Sequence, residues 1–157
     1  GLATGNTPIQ LYAELVRLHE EGLSFRNVVT FNLDEYIGIS RENPESYWQF
    51  MHSHLFDRID IVPENIHIPE STVLSKNLES YCSSYEHQIT EAGGIDLQVL
   101  GIGRNGHIGF NEPGASPEVA THATELNSVT IDDAAQAFGG APYVPRRAIT
   151  MLSLIHI

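Results

Sequence analysis

The sequence has 157 residues, of which 41% are hydrophobic and 18% charged, a composition typical of one soluble globular domain. Its formal net charge of −12 comes from 20 acidic against 8 basic residues, and the basic residues do not cluster. This charge argues against nucleic acid as a partner, because clustered lysines and arginines are needed to bind a phosphate backbone. No apolar run is long enough to cross a bilayer, which argues against a membrane partner as well.

Cysteine usage indicates the compartment. The single cysteine, Cys82, leaves no internal disulfide and fits a reducing environment, so we expect a cytoplasmic protein. It lies on the apolar side of a predicted helix, which favours a buried small hydrophobic residue over a nucleophile.

Both ends of the sequence fall where a structural element is expected to continue. Residues 1–3 begin in a loop with no strand before it, and the apolar residues 151–157 stop without a helix cap. No internal repeat or low-complexity tract divides the chain. We therefore expect residues 1–157 to form a single domain that is truncated at both ends.

A glycine- and threonine-rich turn at residues 1–8 leads into the first predicted helix. Thr7 suits the N-cap, Pro8 the first helical position and Gln10 a capping box, and Gly22 ends the apolar helical pattern. Free backbone amides and the helix dipole make such a turn a natural cradle for an anion. It lacks the lysine of a nucleotide P-loop. An ordinary capped turn without a ligand is an equal alternative from this segment alone.

The remaining apolar patterns alternate between strands and helices. This alternation predicts an α/β fold with a three-layer, mostly parallel Rossmann-like sheet and helices on both faces. The predicted strands are 28–33, 66–69, 95–100, 121–126 and 148–151. One further helix is predicted to begin near residue 43, and two more span about 76–92 and 131–138.

The glycine-rich stretch 101–114 contains the residues best suited to proton transfer. Five glycines give its backbone unusual freedom, and within them lie His107, Glu112 and two asparagines. An imidazole titrates near neutral pH, and a neighbouring carboxylate fixes its tautomer. A solvent-exposed loop with an idle histidine is again an equal alternative for the isolated stretch.

Three polar loops are expected at the same edge of the sheet. Ligands of open α/β sheets bind outside the carboxyl ends of the strands, where residues 4–7, 34–36 and 103–112 are predicted to lie. One pocket would then combine an anion cradle, the carboxylate of Asp34 and the His107–Glu112 pair. A divalent metal held by these groups and Glu35 is the competing interpretation. No second histidine stands at ligand spacing, so we predict that no metal is bound.

Several of these segments together resemble the glucosamine-6-phosphate deaminase family, also called glucosamine/galactosamine-6-phosphate isomerases. The match runs in order through nearly the whole chain, and its most specific part is Asn-Gly-His-Ile-Gly-Phe-Asn-Glu-Pro at residues 105–113. The looser glycine-rich turn is shared with 6-phosphogluconolactonases. The resembling segments are residues 1–8, 29–36, 44–47, 101–114 and 144–150.

The resemblance implies conversion of glucosamine 6-phosphate and water to fructose 6-phosphate and ammonia, in amino-sugar catabolism and without a metal or organic cofactor. It implies that Asp34 moves the proton from C2 to C1 and that His107 assists ring opening. It also implies that Asn105 and Glu112 orient and polarise the imidazole, and it is compatible with a homo-oligomer. The substrate-binding residues implied are Thr4, Gly5, Asn6, Thr7 and Gly103.

The sequence departs from the family pattern in three places. Gln136 stands where the family usually has an arginine that clamps the phosphate, and Arg104 or Arg146 are the candidate substitutes. His122 and Thr124 replace basic residues of the allosteric site in some members, so activation by N-acetylglucosamine 6-phosphate is not expected. Residues 152–157 no longer resemble the family, which is expected of a non-native tail.

Two other functions compete with the deaminase. A 6-phosphogluconolactonase would share the phosphate turn, but its relatives lack the Asp34-Glu35-Tyr36 context. A sugar-phosphate sensor would have lost its catalytic groups, whereas Asp34, His107 and Glu112 are all present.

Overall fold

The computed structural model describes residues 1–116 and 119–151, so the expected tail at 152–157 lies outside the described residues. Helices and strands alternate along this part of the chain, which confirms the α/β class. The helices are α1 (Ile9–Glu20), α2 (Tyr47–His54), α3 (Leu78–Glu91) and α4 (Ser128–Ala134), and the strands are β1 (Thr30–Phe31), β2 (Asp34–Tyr36), β3 (Ile66–His67), β4 (His122–Glu125) and β5 (Arg147–Thr150).

Parallel pairing surrounds the first strand. β1 pairs in parallel with β3, with Thr30 opposite Ile66, and a parallel bridge joins Leu2 to Asn32. The Val99 amide donates to the Gly1 carbonyl oxygen at 2.9 Å. Residues 1–3 therefore lie between β1 and the segment around Val99, at the position of an inner parallel strand.

The chain changes partners between β1 and β2. After Leu33, whose carbonyl oxygen accepts from the Met151 amide at 2.8 Å, β2 joins an antiparallel sheet with the strand order β2-β5-β4. Asp34 and His122 both stand opposite Thr150 in this sheet. The strand pairings of the described residues are thus mixed, and the larger sheet is antiparallel rather than mostly parallel as predicted.

The predicted strand at 95–100 is not formed. Residues 97–100 have no assigned strand structure, and Leu97 is 76% exposed. The apolar run suggested a buried strand, but its contact with Gly1 supplies only two hydrogen bonds, from the Gly1 amino group to Leu97 and from Val99 to Gly1. A strand needs a continuous ladder, which sequence periodicity cannot report.

Helix ends differ from the predicted caps. Pro8 rather than Thr7 occupies the N-cap of α1, and no side chain caps that end. α2 begins three residues late, with the Ser46 hydroxyl accepting from the Gln49 amide at 3.0 Å. The C-terminal end of α1 agrees with the prediction, because Gly22 takes φ of 109° and the Leu23 amide donates to the Leu18 carbonyl.

Two expectations about the environment can be compared with the structure. Cys82 is 4% exposed and packs in α3 beside Leu78 and Ile149, as expected of a small hydrophobic residue. Across residues 1–116 and 119–151, no helix combines the length and apolar character that crossing a membrane requires.

Glu35 anchors α2 to the sheet. Its side chain is 1% exposed, and its carboxylate accepts hydrogen bonds from the amides of Tyr36, Tyr47 and Trp48 at 2.8, 3.1 and 3.0 Å. Two of these donors belong to the first turn of α2, where helix amides lack partners of their own. One buried carboxylate therefore fixes both the start of α2 and its distance from β2.

We predict that Glu35→Leu lowers the free energy of unfolding by about 2 kcal/mol or more, because unpaired buried N–H groups each cost roughly 1–3 kcal/mol. Urea unfolding measures the change. Glu20→Leu, at the exposed end of α1, is the matched control. Equal stability of the two variants would contradict the anchoring role.

Candidate active site

The three polar loops predicted to meet do line one cavity, of about 440 Å³. Residues 3–7, the β1–β2 segment, the loop 101–110 and α4 each contribute part of its wall. Of the predicted site residues, those that line the cavity are Thr4, Gly5, Asn6, Thr7, Asp34, Gly103 and His107. Asn105 and Glu112 lie behind His107 instead.

Asp34 is a buried carboxyl group in the cavity wall. It is 5% exposed, and burial, with a smaller contribution from the charge of Glu35, raises the pKa of Asp34 to about 8. Gly109, at φ of 59°, passes directly over it. A Cβ added at Gly109 would lie 3.0 Å from Asp34 Oδ2 and 2.9 Å from Thr150 Oγ1, so glycine allows the loop to close on the carboxyl.

Glu35 shares the burial of Asp34 but not its role. Burial raises the pKa of Glu35 to about 7, against the opposing effect of the three amides that donate to it. Because those donors occupy its oxygens, Glu35 is a structural group, whereas the Asp34 carboxyl lines the cavity.

His107 lies across Gly103. A Cβ added at Gly103 would stand 2.1 Å from His107 Cε1, and the Gly103 amide donates to the His107 carbonyl oxygen at 2.8 Å. Gly103 therefore makes room for the imidazole, in addition to lining the cavity. The ring nitrogen Nδ1 lies 2.6 Å from Asn105 Oδ1.

Glu112 reaches His107 through Asn105. The Asn105 side-chain amide donates to Glu112 Oε2 at 2.6 Å, so the hydrogen bonds run His107–Asn105–Glu112. The sequence suggested that Glu112 sits beside the imidazole. The structure instead places the asparagine between them and gives Glu112 a further partner, the Thr130 hydroxyl, at 3.0 Å.

The anion cradle carries no cation of its own. Residues 4–7 line the cavity ahead of α1, and Gly5 takes φ of 93°. No lysine or arginine lines the cavity among the described residues. Gln136 is exposed and lies outside the lining, whereas Arg104 forms an ion pair of 2.8 Å with Asp133, which does line it.

Aromatic side chains form one wall of the cavity. Tyr36 and Tyr47 have ring centroids 5.0 Å apart, and Tyr36 and Phe110 have centroids 5.2 Å apart. Burial raises the pKa of Tyr36 to about 12 and that of Tyr47 well above its ordinary value, so both hydroxyls keep their protons. The predicted loops 34–36 and 103–112 include Tyr36 and Phe110, whereas Tyr47, on α2, was not among the predicted site residues.

The side chains considered as metal ligands have separate partners. Glu35 accepts from the backbone at α2, and Glu112 accepts from Asn105 and Thr130. Within residues 1–116 and 119–151, no three histidine, cysteine or acidic side chains are grouped to hold a metal ion.

Comparison with known proteins identifies the class. The family described as glucosamine-6-phosphate isomerases/6-phosphogluconolactonase matches residues 1–135, and the chain belongs to this family. A solved 6-phosphogluconolactonase from Thermotoga maritima shares the fold, with a TM-score of 0.67 and 22% identity over 95% of this chain and 60% of that one.

More similar relatives carry one name. Glucosamine-6-phosphate deaminase of Thermoanaerobacter sp. (strain X514) is 51% identical over 96% of this chain and 59% of its own length. Glucosamine-6-phosphate deaminase 2 of Bacillus subtilis (strain 168) is 52% identical over 96% of this chain and 61% of its own. A solved monomeric glucosamine-6-phosphate deaminase has a TM-score of 0.91 and 47% identity, over 96% and 62%. The family resemblance is confirmed, and the chain spans about three fifths of these relatives.

We predict that Asp34→Asn stabilises the protein increasingly as pH rises from about 4 to 8. Folded Asp34 keeps its proton up to a pKa of about 8, whereas the unfolded side chain loses it near 3.8. Unfolding therefore releases a proton in this window, and wild-type stability falls as pH rises. Because asparagine does not titrate, the variant does not lose stability in this way as the pH rises.

Urea unfolding at pH 5, 7 and 9 measures the difference between the two proteins. The exposed Asp132→Asn serves as the control for removing a surface carboxylate. A stability difference between wild type and Asp34→Asn that does not change with pH would show that Asp34 is not a buried acid.

Proposed function

We propose that this protein converts glucosamine 6-phosphate and water to fructose 6-phosphate and ammonia. The observation that carries the proposal is the pairing of a buried carboxyl, Asp34, with an imidazole, His107, on the walls of one cavity. Relatives 49% to 52% identical, named glucosamine-6-phosphate deaminases, support the choice of substrate.

His107 acts first, by protonating the ring oxygen of the sugar so that the pyranose opens to the aldehyde. Its Nδ1 is engaged by Asn105, which leaves Nε2 as the nitrogen available to substrate. The Gly103 contact limits the positions that the ring can take. A fixed donor is worth more than a mobile one because orientation precedes proton transfer.

Asp34 then removes the proton from C2, and the electrons of the C–H bond form the C2–C1 double bond of an enolamine, while the C1 aldehyde oxygen becomes a hydroxyl by taking the proton that the substrate ammonium group releases. Return of the proton to C1 gives the C2 imine of the ketose. Water adds to this imine and ammonia leaves, which balances the reaction. A carboxylate with a raised pKa is a stronger base than an exposed one, and the positive amine of the substrate favours its ionised form.

We propose that the phosphate binds at residues 4–7, ahead of α1, where helix amides and the dipole favour an anion. Its second negative charge needs a cation. We propose Arg104 for this role, since it is paired with Asp133 at the cavity edge and both side chains are partly exposed, at 68% and 44%. Exposed ion pairs contribute only about 0–1 kcal/mol, so a phosphate dianion can displace Asp133.

We also propose that residues 1–157 belong to one domain, which in the whole protein forms a three-layer, mostly parallel Rossmann-like sheet. The parallel pairing of β1 with β3 and the parallel bridge between Leu2 and Asn32 support this arrangement. A cytoplasmic role in amino-sugar catabolism, without nucleic acid or membrane partners, follows from the proposed substrate and the sequence composition.

We predict that Asp34→Asn lowers ammonia release from glucosamine 6-phosphate by about 10²- to 10⁴-fold, the usual contribution of a general base. Binding of a non-reacting analogue that lacks the positive amine should change little, since the amide keeps the shape of the side chain. The assay uses the whole protein, with Asp132→Asn as control and with 6-phosphogluconolactone and N-acetylglucosamine 6-phosphate as competing substrates. Retained turnover would show that Asp34 is not the base. Faster hydrolysis of the lactone would show that glucosamine 6-phosphate is not the preferred substrate.

We predict opposite effects for the two partners of the Arg104 ion pair. Arg104→Gln should raise the KM for the sugar phosphate by about tenfold or more, because a charge-assisted contact is worth roughly 1.5–3 kcal/mol. Asp133→Asn should lower KM, because it frees the guanidinium. The exposed Arg146→Gln is the matched control. A larger KM change for Arg146→Gln than for Arg104→Gln would show that Arg146, and not Arg104, binds the phosphate.

A further inference from the structure

Thr130, which was not among the residues predicted from the sequence, joins α4 to the candidate site. Thr130 lies in the first turn of α4, lines the cavity and is 6% exposed. Its hydroxyl donates to Glu112 Oε1 at 3.0 Å and stands 3.5 Å from His107 Nδ1. A buried hydroxyl with these contacts is part of the polar network behind the imidazole.

Glu112 and the backbone amide of His107 together set the direction of the hydrogen bonds in this network, since that amide also donates to Asn105 Oδ1 at 3.3 Å. An ionised carboxylate only accepts, so both Thr130 and Asn105 donate to it. Because the Asn105 amide group faces Glu112, its oxygen faces His107 Nδ1 at 2.6 Å. That oxygen accepts, and Nδ1 must therefore carry a hydrogen.

The apolar contacts of α4 explain why the Thr130 hydroxyl lies within hydrogen-bond distance of Glu112. Ile131 is 5% exposed and packs in the apolar cluster that contains Tyr36 and Phe110. Apolar packing sets the distance between α4 and the loop but not the rotation of a carboxylate. The Thr130 hydroxyl supplies that directional contact, from a residue next to the apolar anchor.

We infer that Thr130 is a positioning residue that holds Glu112 and thereby fixes the His107 tautomer with hydrogen on Nδ1. Nε2 of the neutral ring is then free to accept a proton, and the protonated ring presents its second N–H to the substrate. The effect on turnover rests on the proposed function. The effect on the tautomer does not, because it follows from hydrogen bonds within the chain.

The test compares Thr130→Val, which removes the hydroxyl at nearly constant volume, with Thr130→Ser, which keeps it. Imidazole ¹⁵N shifts, assigned by their loss in His107→Gln, report which ring nitrogen carries hydrogen in the neutral form. Wild type and Thr130→Ser should show hydrogen on Nδ1. Thr130→Val should show a mixture with the Nε2–H tautomer.

Kinetics provide the second readout. Thr130→Val should lower kcat by about ten- to a hundredfold, as expected when a group that orients a catalytic side chain is lost, with KM changed less than about threefold. Thr130→Ser should restore most of kcat. Wild-type tautomer in Thr130→Val, or equal loss of kcat in both variants, would overturn the inference by assigning Thr130 to packing alone.

Two further outcomes are separable. If no protein in the series releases ammonia, the proposed function fails while the ¹⁵N shifts still decide the role of Thr130. If Thr130→Val does not fold, Glu112→Gln replaces it. Its amide can turn its NH₂ toward Asn105, and the same tautomer mixture is expected, whereas an unchanged Nδ1–H signal would overturn the inference.

Discussion

The candidate site depends on the burial of two adjacent carboxyl groups, Asp34 and Glu35, on β2. Successive side chains of a strand point to opposite faces, so one group turns to α2 and the other to the cavity. Burying an ionisable group is costly unless it is hydrogen-bonded or neutral. Glu35 meets the first condition through three backbone donors, whereas Asp34, with a pKa raised to about 8, meets the second. The same strand therefore provides both the anchor and the reactive acid.

Glycines bring the other half of the site to this carboxyl. Gly109 lets the loop pass over Asp34, and Gly103 leaves the space that the His107 ring occupies. A side chain at either position would collide with the group it faces. The loop is then held by side-chain hydrogen bonds behind the imidazole, which run from Asn105 to Glu112 and from Glu112 to Thr130. These hydrogen bonds therefore fix the position of a loop whose glycines would otherwise leave it flexible.

Sequence reasoning predicted the elements whose patterns are local. The helical spacing that ends at Gly22 and the strand at residues 66–67 were found, as was the meeting of three polar loops in one cavity. It missed features decided by distant partners. The strand expected at 95–100 lacks a continuous ladder, and Tyr47 was not predicted at the site because helical periodicity does not reveal a cavity beside the helix. The resemblance implied an orienting role for Asn105 but not its position between His107 and Glu112, and Thr130 was missed because side-chain direction across 18 residues is not encoded in spacing.

Titration of the Asp34 carboxyl group measures directly whether it is a buried base. Protein carrying ¹³C-labelled aspartate would be titrated by NMR, and the Asp34 signal identified by its absence from Asp34→Asn. We expect a midpoint near pH 8, and a lower midpoint when a positively charged amino-sugar phosphate analogue binds. A midpoint near the ordinary aspartate value of 3.8 would contradict this expectation, because the cavity would then hold a solvated carboxylate instead of a buried base.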